Sequence, residues 1–187
     1  SNASDFEGIT TDGKNLFVLA ERTSIIYIIN ATKQGKSLEP YTKRLDVELS
    51  KVGFFKSTDD NFRLEGLAFV NDTTFLVAAE LNPRGLALIS TSGLIISNKK
   101  IPHISAVRFP KSRELQPENT ADFKFEVNGK SYYYDFTDVF IKDSLAYVLD
   151  RSMECIYVVD YKNNFQIKEV WDFQNALKKE DQQGYKK

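Results

Sequence analysis

The sequence predicts an all-β protein, a β-propeller-like array of about three four-stranded antiparallel meanders forming an incomplete ring. Two observations carry this. One pattern is written three times. Phe6-Glu7-Gly8-Ile9 leads through Asp12-Gly13 to Leu16–Arg22, Leu64-Glu65-Gly66-Leu67 leads through Asn71-Asp72 to Thr74–Glu80, and Phe136-Thr137-Asp138-Val139 leads through Lys142-Asp143 to Leu145–Arg151. Such a repeat marks a structural unit that buries its faces only by stacking on its neighbours. The apolar runs are also short, rich in Val, Ile, Phe and Tyr, and bounded by turn residues, as strands are. A closed ring takes about four to eight blades. Three units therefore point to part of a larger ring, to pairing between chains, or to an open arc. A two-layer β-sandwich with coincidental likeness between strands is the alternative architecture.

In chain order, Ser1-Asn2-Ala3 reads as the remnant of a cleaved affinity tag. A single domain is expected over residues 4–173, with units at about 5–49, 62–106 and 135–172. The first unit places strands at Gly8–Thr11, Leu16–Ala20 and Ile25–Ile29. A fourth falls in Tyr41–Leu49, where Leu45, Val47 and Leu49 alternate with Asp46 and Glu48 in the period of a half-exposed strand. The second unit has Glu65–Val70, Thr74–Ala79, Gly85–Ser90 and Leu94–Ser97. An insertion over about 107–134 interrupts the repeat. It contains a hairpin, Phe123–Val127 and Ser131–Tyr134, turned by Asn128-Gly129, the strongest short type I′ signal. The third unit has Val139–Ile141, Leu145–Leu149, Cys155–Val159 and Phe165–Trp171. Residues 174–187 read as a polar tail.

Composition narrows function by exclusion. Of 187 residues 42% are hydrophobic and 27% charged, and 14 Phe and 9 Tyr can fill a sizeable core. The net charge of −1 gives no basic field for nucleic acid or acidic membrane. No apolar run reaches the roughly 18 residues of a membrane-spanning helix. Cys155 is the only cysteine, so no intrachain disulfide forms, and its apolar surroundings make it a core residue. His103 is the only histidine and no Gly-x-Ser-x-Gly elbow occurs, so a Ser-His-Asp triad has no support. Zinc spacings, a phosphate-binding Gly-Lys loop and a dinucleotide glycine pattern are likewise missing from the sequence. No catalytic residue can be assigned.

Three polar constellations remain. In a propeller the first strand of each blade lines the channel, so Glu7, Glu65 and Asp138, at or beside one repeat position, would converge there. Clustered carboxylates repel unless cations or arginines neutralise them, and Ca²⁺ takes oxygen ligands in flexible geometry. The plainer reading has each acid accept backbone N–H groups or pair with an arginine. Gly66 would then serve close backbone approach at the start of a blade. The second constellation is an acid and an arginine closing each second strand: Glu21-Arg22, Glu80 with Arg84, and Asp150-Arg151. These would pair between blades, or Arg22, Arg84 and Arg151 would gather around a small anion. Arg84, between Pro83 and Gly85, is the one held most rigidly. The third is Tyr132-Tyr133-Tyr134, of which alternation exposes at least one ring, as part of an edge hairpin or of a recognition surface.

Phe6-Glu-Gly-Ile, Leu64-Glu-Gly-Leu-Ala, Pro83-Arg84-Gly85, and Asp135-Phe-Thr-Asp138 leading to Tyr147-Val-Leu-Asp-Arg151 resemble the esterase-like phytase family and the related SdiA-regulated proteins. The resemblance spans about residues 5–172. It implies a bacterial β-propeller exported to the periplasm or the cell exterior. It further implies a phosphoester hydrolase organised by Ca²⁺ on Glu7, Glu65 and Asp138, with arginines such as Arg84 gripping phosphate. The competing expectation is a non-catalytic binding or scaffold module. Either way, self-association would complete a ring that three units leave open.

Overall fold

A computed structural model describes residues 5–21, 23–31, 42–46, 64–79, 85–92, 95–100, 124–127, 130–133, 136–151 and 154–173. The described residues are built from strands and contain no helix. β1 (Phe6–Thr11), β2 (Asn15–Ala20), β3 (Ile25–Asn30) and β4 (Thr42–Asp46) form one antiparallel meander, and β5 (Leu64–Asn71), β6 (Thr74–Ala79), β7 (Gly85–Ser90) and β8 (Ile95–Lys100) form the second. The hairpin β9 (Lys124–Val127) and β10 (Lys130–Tyr133) pairs Val127 with Lys130. The third meander is β11 (Phe136–Lys142), β12 (Leu145–Asp150), β13 (Cys155–Asp160) and β14 (Gln166–Asp172). The expected all-β array of three four-stranded blades is therefore present, with its sheets in an open arc. Residues Val47–Leu49, His103 and the tail 174–187 lie outside the described residues.

The turns follow from local chemistry. Between β1 and β2 the Asp12 carboxylate accepts the N–H groups of Lys14 at 2.7 Å and Asn15 at 2.6 Å, and the Asn15 amide at 2.9 Å. These bonds hold the Asp12 carboxyl below its usual pKa, the Asn15 contacts contributing most. Gly13 supplies the left-handed backbone this turn needs, at φ 88°. Between β11 and β12, Asp143 and Ser144 are both left-handed, at φ 52° and 70°, which matches the twist of a tight hairpin. Phe165 is also left-handed, at φ 54°, although it is bulky. That conformation costs about 1–2 kcal/mol, which burial of the ring in the core offsets.

The inner strands β1, β5 and β11 share one register. Each has a bulge after its first residue, so Phe6, Leu64 and Phe136 are counterparts, as are Glu7, Glu65 and Thr137, then Gly8, Gly66 and Asp138. β1 lies against β5 and β5 against β11. A Cβ at Gly8 would stand 3.0 Å from the Leu67 nitrogen and 3.1 Å from the Glu65 carbonyl oxygen, and one at Gly66 would stand 3.0 Å from the Val139 nitrogen. The two glycines are thus where the next blade's backbone arrives. Two residues further on, the Thr10 hydroxyl accepts the Phe69 N–H at 3.1 Å, so the neighbouring strands run parallel.

The core forms in the two layers between blades. Phe17, Leu19, Ile26 and Leu45 of the first sheet meet Leu64, Leu67, Phe75 and Val77 of the second. There the Phe17 and Phe69 rings stack with centroids 5.6 Å apart, and Phe75 meets Phe17 edge-on with centroids 4.8 Å apart. The other face of the second sheet, with Ala68, Leu76, Ala78 and Leu86, meets Phe136, Val139, Val148, Cys155 and Tyr157 of the third. Cys155 is fully buried there, as its apolar surroundings imply. All six residues of β6 are buried because both faces of the middle blade are covered.

Candidate rim site

The starts of the inner strands and the ends of the second strands lie along one rim of the arc. The register that pairs Phe6 with Ala20 sets Asp5 across from Glu21, and the Glu21 N–H donates to the Asp5 carbonyl at 2.8 Å. Glu7 is the extra residue of the bulge beside them. Asp5, Glu7 and Glu21 consequently bring one carboxylate oxygen each to within 4.8 Å of one another, with Asp5 and Glu21 half-buried and Glu7 exposed. This spacing suits a hard cation held by oxygen ligands. Continuing the same register in sequence alone, the positions of Asp5 and Glu21 read Arg63 and Glu80 in the second unit and Asp135 and Arg151 in the third. Only the first unit puts acids at both.

The residues singled out from the sequence fall differently from one another. Glu7 joins the carboxylate group. Glu65 occupies the corresponding bulge one blade further on, is half-buried and, like Asp5 and Glu21, is engaged with partners. Asp138 stands outside that position. It takes the place of Gly8 and Gly66 on the exposed face of β11, where its carboxylate accepts the Val139 N–H at 2.8 Å. The residue at the acid's position in the third blade is Thr137, whose buried hydroxyl has no hydrogen-bond partner. The converging acids that sequence comparison missed, Asp5 and Glu21, carried a usable signal: residues just before and just after a tight hairpin face each other.

The acid–arginine pattern is also displaced by register. Arg151 is the counterpart of Glu21, while Asp150, fully buried, is the counterpart of Ala20 and Ala79. A buried carboxylate must be satisfied, and Asp150 is engaged with partners. Arg151 is exposed at the rim. Arg22 and Arg84 lie outside the described residues. So do the side chains of Tyr132 and Tyr133, whose backbones form β10, and the whole of Tyr134.

Among solved structures the fold is similar to glutaminyl cyclase from Myxococcus xanthus, with a TM-score of 0.55 at 10% identity over 95% of this chain and 56% of that one. A protein of unknown function from Bacteroides caccae matches at 0.48 and 9% identity, over 92% of this chain and 47% of that chain. Apo AztD from Citrobacter koseri matches at 0.43 and 10%, over 89% of this chain and 46% of its own. The chain thus spans about half the length of these structures. At 10% identity the first of these likenesses is one of β-propeller-like fold. No curated protein sequence matches the chain. The SdiA-regulated family model, by contrast, matches residues 1–131, well over half of the sequence that carries the repeat. On that match, the chain belongs to the SdiA-regulated family.

Proposed function

We propose that the chain is a β-propeller binding module whose rim takes a divalent cation, Ca²⁺ by its preference for oxygen ligands, at Asp5, Glu7 and Glu21. The observation that supports it is the convergence of the three carboxylates within 4.8 Å in the one blade whose hairpin end carries acids on both sides. Ca²⁺ sites range down to dissociation constants of about 10⁻⁴–10⁻³ M in extracellular modules. A half-exposed site with three acidic ligands belongs at that weak end. It suits a periplasmic or extracellular setting, where the ion is abundant. A cation on the rim would in turn hold a small anionic ligand, with Arg151, Arg22 and Arg84 as the cationic side chains to grip it. Glu65, at the equivalent bulge of the next blade, and Asp138 of the original carboxylate set stand outside this core of ligands.

Phosphoester hydrolysis in the manner of the esterase-like phytases is the catalytic extension of the same reading. Binding is preferred because carboxylates supply ligands to a hard cation, and the described rim adds no nucleophile paired with a base.

Thermal unfolding with added CaCl₂ tests the site. With a dissociation constant of about 1 mM, about 10 mM Ca²⁺ stabilises by about 1.4 kcal/mol, equivalent to about 3–6 °C in Tm for a chain of this size. Glu7→Gln should remove most of that response while leaving the metal-free Tm in place. A Tm unmoved by Ca²⁺, or moved equally in Glu7→Gln, would end the proposal. Incubation with phytate and Ca²⁺ separates the catalytic extension: release of phosphate supports it and intact phytate dismisses it.

A further inference from the structure

We propose that Asn71 is the acceptor of an N-linked oligosaccharide, a modification site on the rim opposite the carboxylates. The inference rests on the exported setting of the proposed function, because chains modified in this way are secreted ones. It is independent of the cation.

Apart from Asn2 of the tag remnant, the chain holds two Asn-x-Ser/Thr triplets, Asn30-Ala31-Thr32 and Asn71-Asp72-Thr73, the pattern of an N-glycan acceptor. Their surroundings differ. Asn30 is half-buried at the end of β3, lies opposite Asn15 in the β2–β3 register, and is engaged with partners. Asn71, Asp72 and Thr73 are all exposed at the tip of the β5–β6 hairpin.

The hydrogen bonds at that tip leave the reacting atom available. Asn71 Oδ1 accepts the Thr73 N–H at 2.9 Å and the Thr73 hydroxyl at 2.8 Å. Among the described residues nothing engages the Asn71 amide nitrogen, which is left to solvent. Two donors on the oxygen stabilise the charge that collects there as the nitrogen gives up a proton.

The turn alone does not call for this pair. In the first blade the Asp12 carboxylate holds the corresponding turn, and in the third the left-handed Asp143 and Ser144 form it. An aspartate at position 71 would accept the Thr73 N–H as well as the amide does. The amide and the hydroxyl together therefore exceed what the hairpin needs. Space is also available. Asn71 stands about 20 Å along β5 from Glu65, so a bulky hydrated glycan there covers neither the faces between blades nor the cation site.

The donor is an oligosaccharide carried on a polyprenyl diphosphate. The bond between Asn71 Nδ2 and the sugar C1 forms as the C1–O bond to the diphosphate breaks. The nitrogen's proton passes to a base of the transferase, and the lipid diphosphate departs with the bonding electron pair.

The purified, folded 187-residue chain, incubated with an oligosaccharyl transferase that reads Asn-x-Ser/Thr and with its lipid-linked donor, tests the acceptor. Trypsin then isolates Asn71 in the peptide Leu64–Arg84 and Asn30 in Thr23–Lys33, and mass spectrometry reads each. The glycan should appear on Leu64–Arg84 and leave Thr23–Lys33 bare. Asn71→Asp keeps the acceptor oxygen of the turn and should abolish the modification, as should Thr73→Ala, while Thr73→Ser should retain it; circular dichroism checks that each variant folds. A bare Leu64–Arg84 peptide, a glycan on Thr23–Lys33 alone, or a Thr73→Ala chain modified as fully as wild type overturns the proposal. In the protein recovered from the cell that makes it, Leu64–Arg84 should carry the glycan. An exported chain with that peptide bare overturns the modification alone, whereas a chain found only in the cytoplasm overturns the exported setting and the modification with it.

Discussion

Gly66→Ala isolates the contact on which blade stacking depends. The added methyl would lie 3.0 Å from the Val139 nitrogen and Cγ1 and 3.1 Å from the Ala78 Cβ. The nitrogen belongs to the backbone of β11, which is held by its own ladder to β12, so it cannot swing aside as a side-chain tip can. Overpacking of this kind costs about 1–3 kcal/mol. An opposing gain of about 0.4–1 kcal/mol arises because alanine restricts the unfolded chain more than glycine does, and the contact outweighs it. The net loss of about 1–2 kcal/mol corresponds to about 2–8 °C in Tm. Urea unfolding followed by circular dichroism measures it. Gly8→Ala should behave alike, with 3.0 Å to the Leu67 nitrogen and Cβ. Asp138→Ala, at the third copy of the position but on an exposed face, should stay within about 0.5 kcal/mol in the monomer. A Gly66→Ala protein as stable as wild type would refute the assignment of these glycines to close backbone approach.

Two further perturbations probe the core and the first turn. Phe136→Ala removes a fully buried ring whose neighbour Tyr157 lies edge-on at 5.6 Å; a loss of about 3–5 kcal/mol in urea unfolding is expected, and a loss under 1 kcal/mol would contradict its place in the core. The Asn15 contacts hold the Asp12 carboxyl below the ordinary aspartate pKa of 3.8, so its ionised form stabilises the fold above that value and the contribution fades as pH falls through the lower folded-state pKa. The stability gap between wild type and Asp12→Asn, from unfolding curves across pH 2–7, should accordingly be widest near neutrality and narrow in acid; a gap that widens in acid would refute the assignment.

The repeat was legible because its copies share three tasks, all of which the middle one performs. Leu64 and Leu67 pack on the preceding blade, Gly66 receives the next one, and Asn71-Asp72 turns the chain. Periodicity in apolar and turn residues records all three, so the strands of all three blades and the Val127–Lys130 hairpin fall where the pattern puts them. What the acid reading passed over is the phase of the bulge. It took Asp138 as standing at or beside the position of Glu7 and Glu65, whereas the apolar pair three residues apart, Phe6 with Ile9 and Phe136 with Val139, puts Thr137 at that position and Asp138 opposite Gly8 and Gly66.

That one-residue difference decides which carboxylates a cation would find together. With acid matched to acid, the carboxylates belong to three blades and need the ring to bring them together. With backbone matched to backbone, Glu7 has its neighbours within its own hairpin, where Asp5 and Glu21 close the ends of β1 and β2. A site of the first kind would vanish if the arc opened, while one of the second is complete in a single blade. The carboxylates lie where β1 begins and β2 ends, so every ligand of the proposed cation site comes from one hairpin. Glu65→Gln, one blade away, should therefore leave the Ca²⁺ response of the Tm in place, and a response lost there as in Glu7→Gln would return the site to carboxylates of several blades.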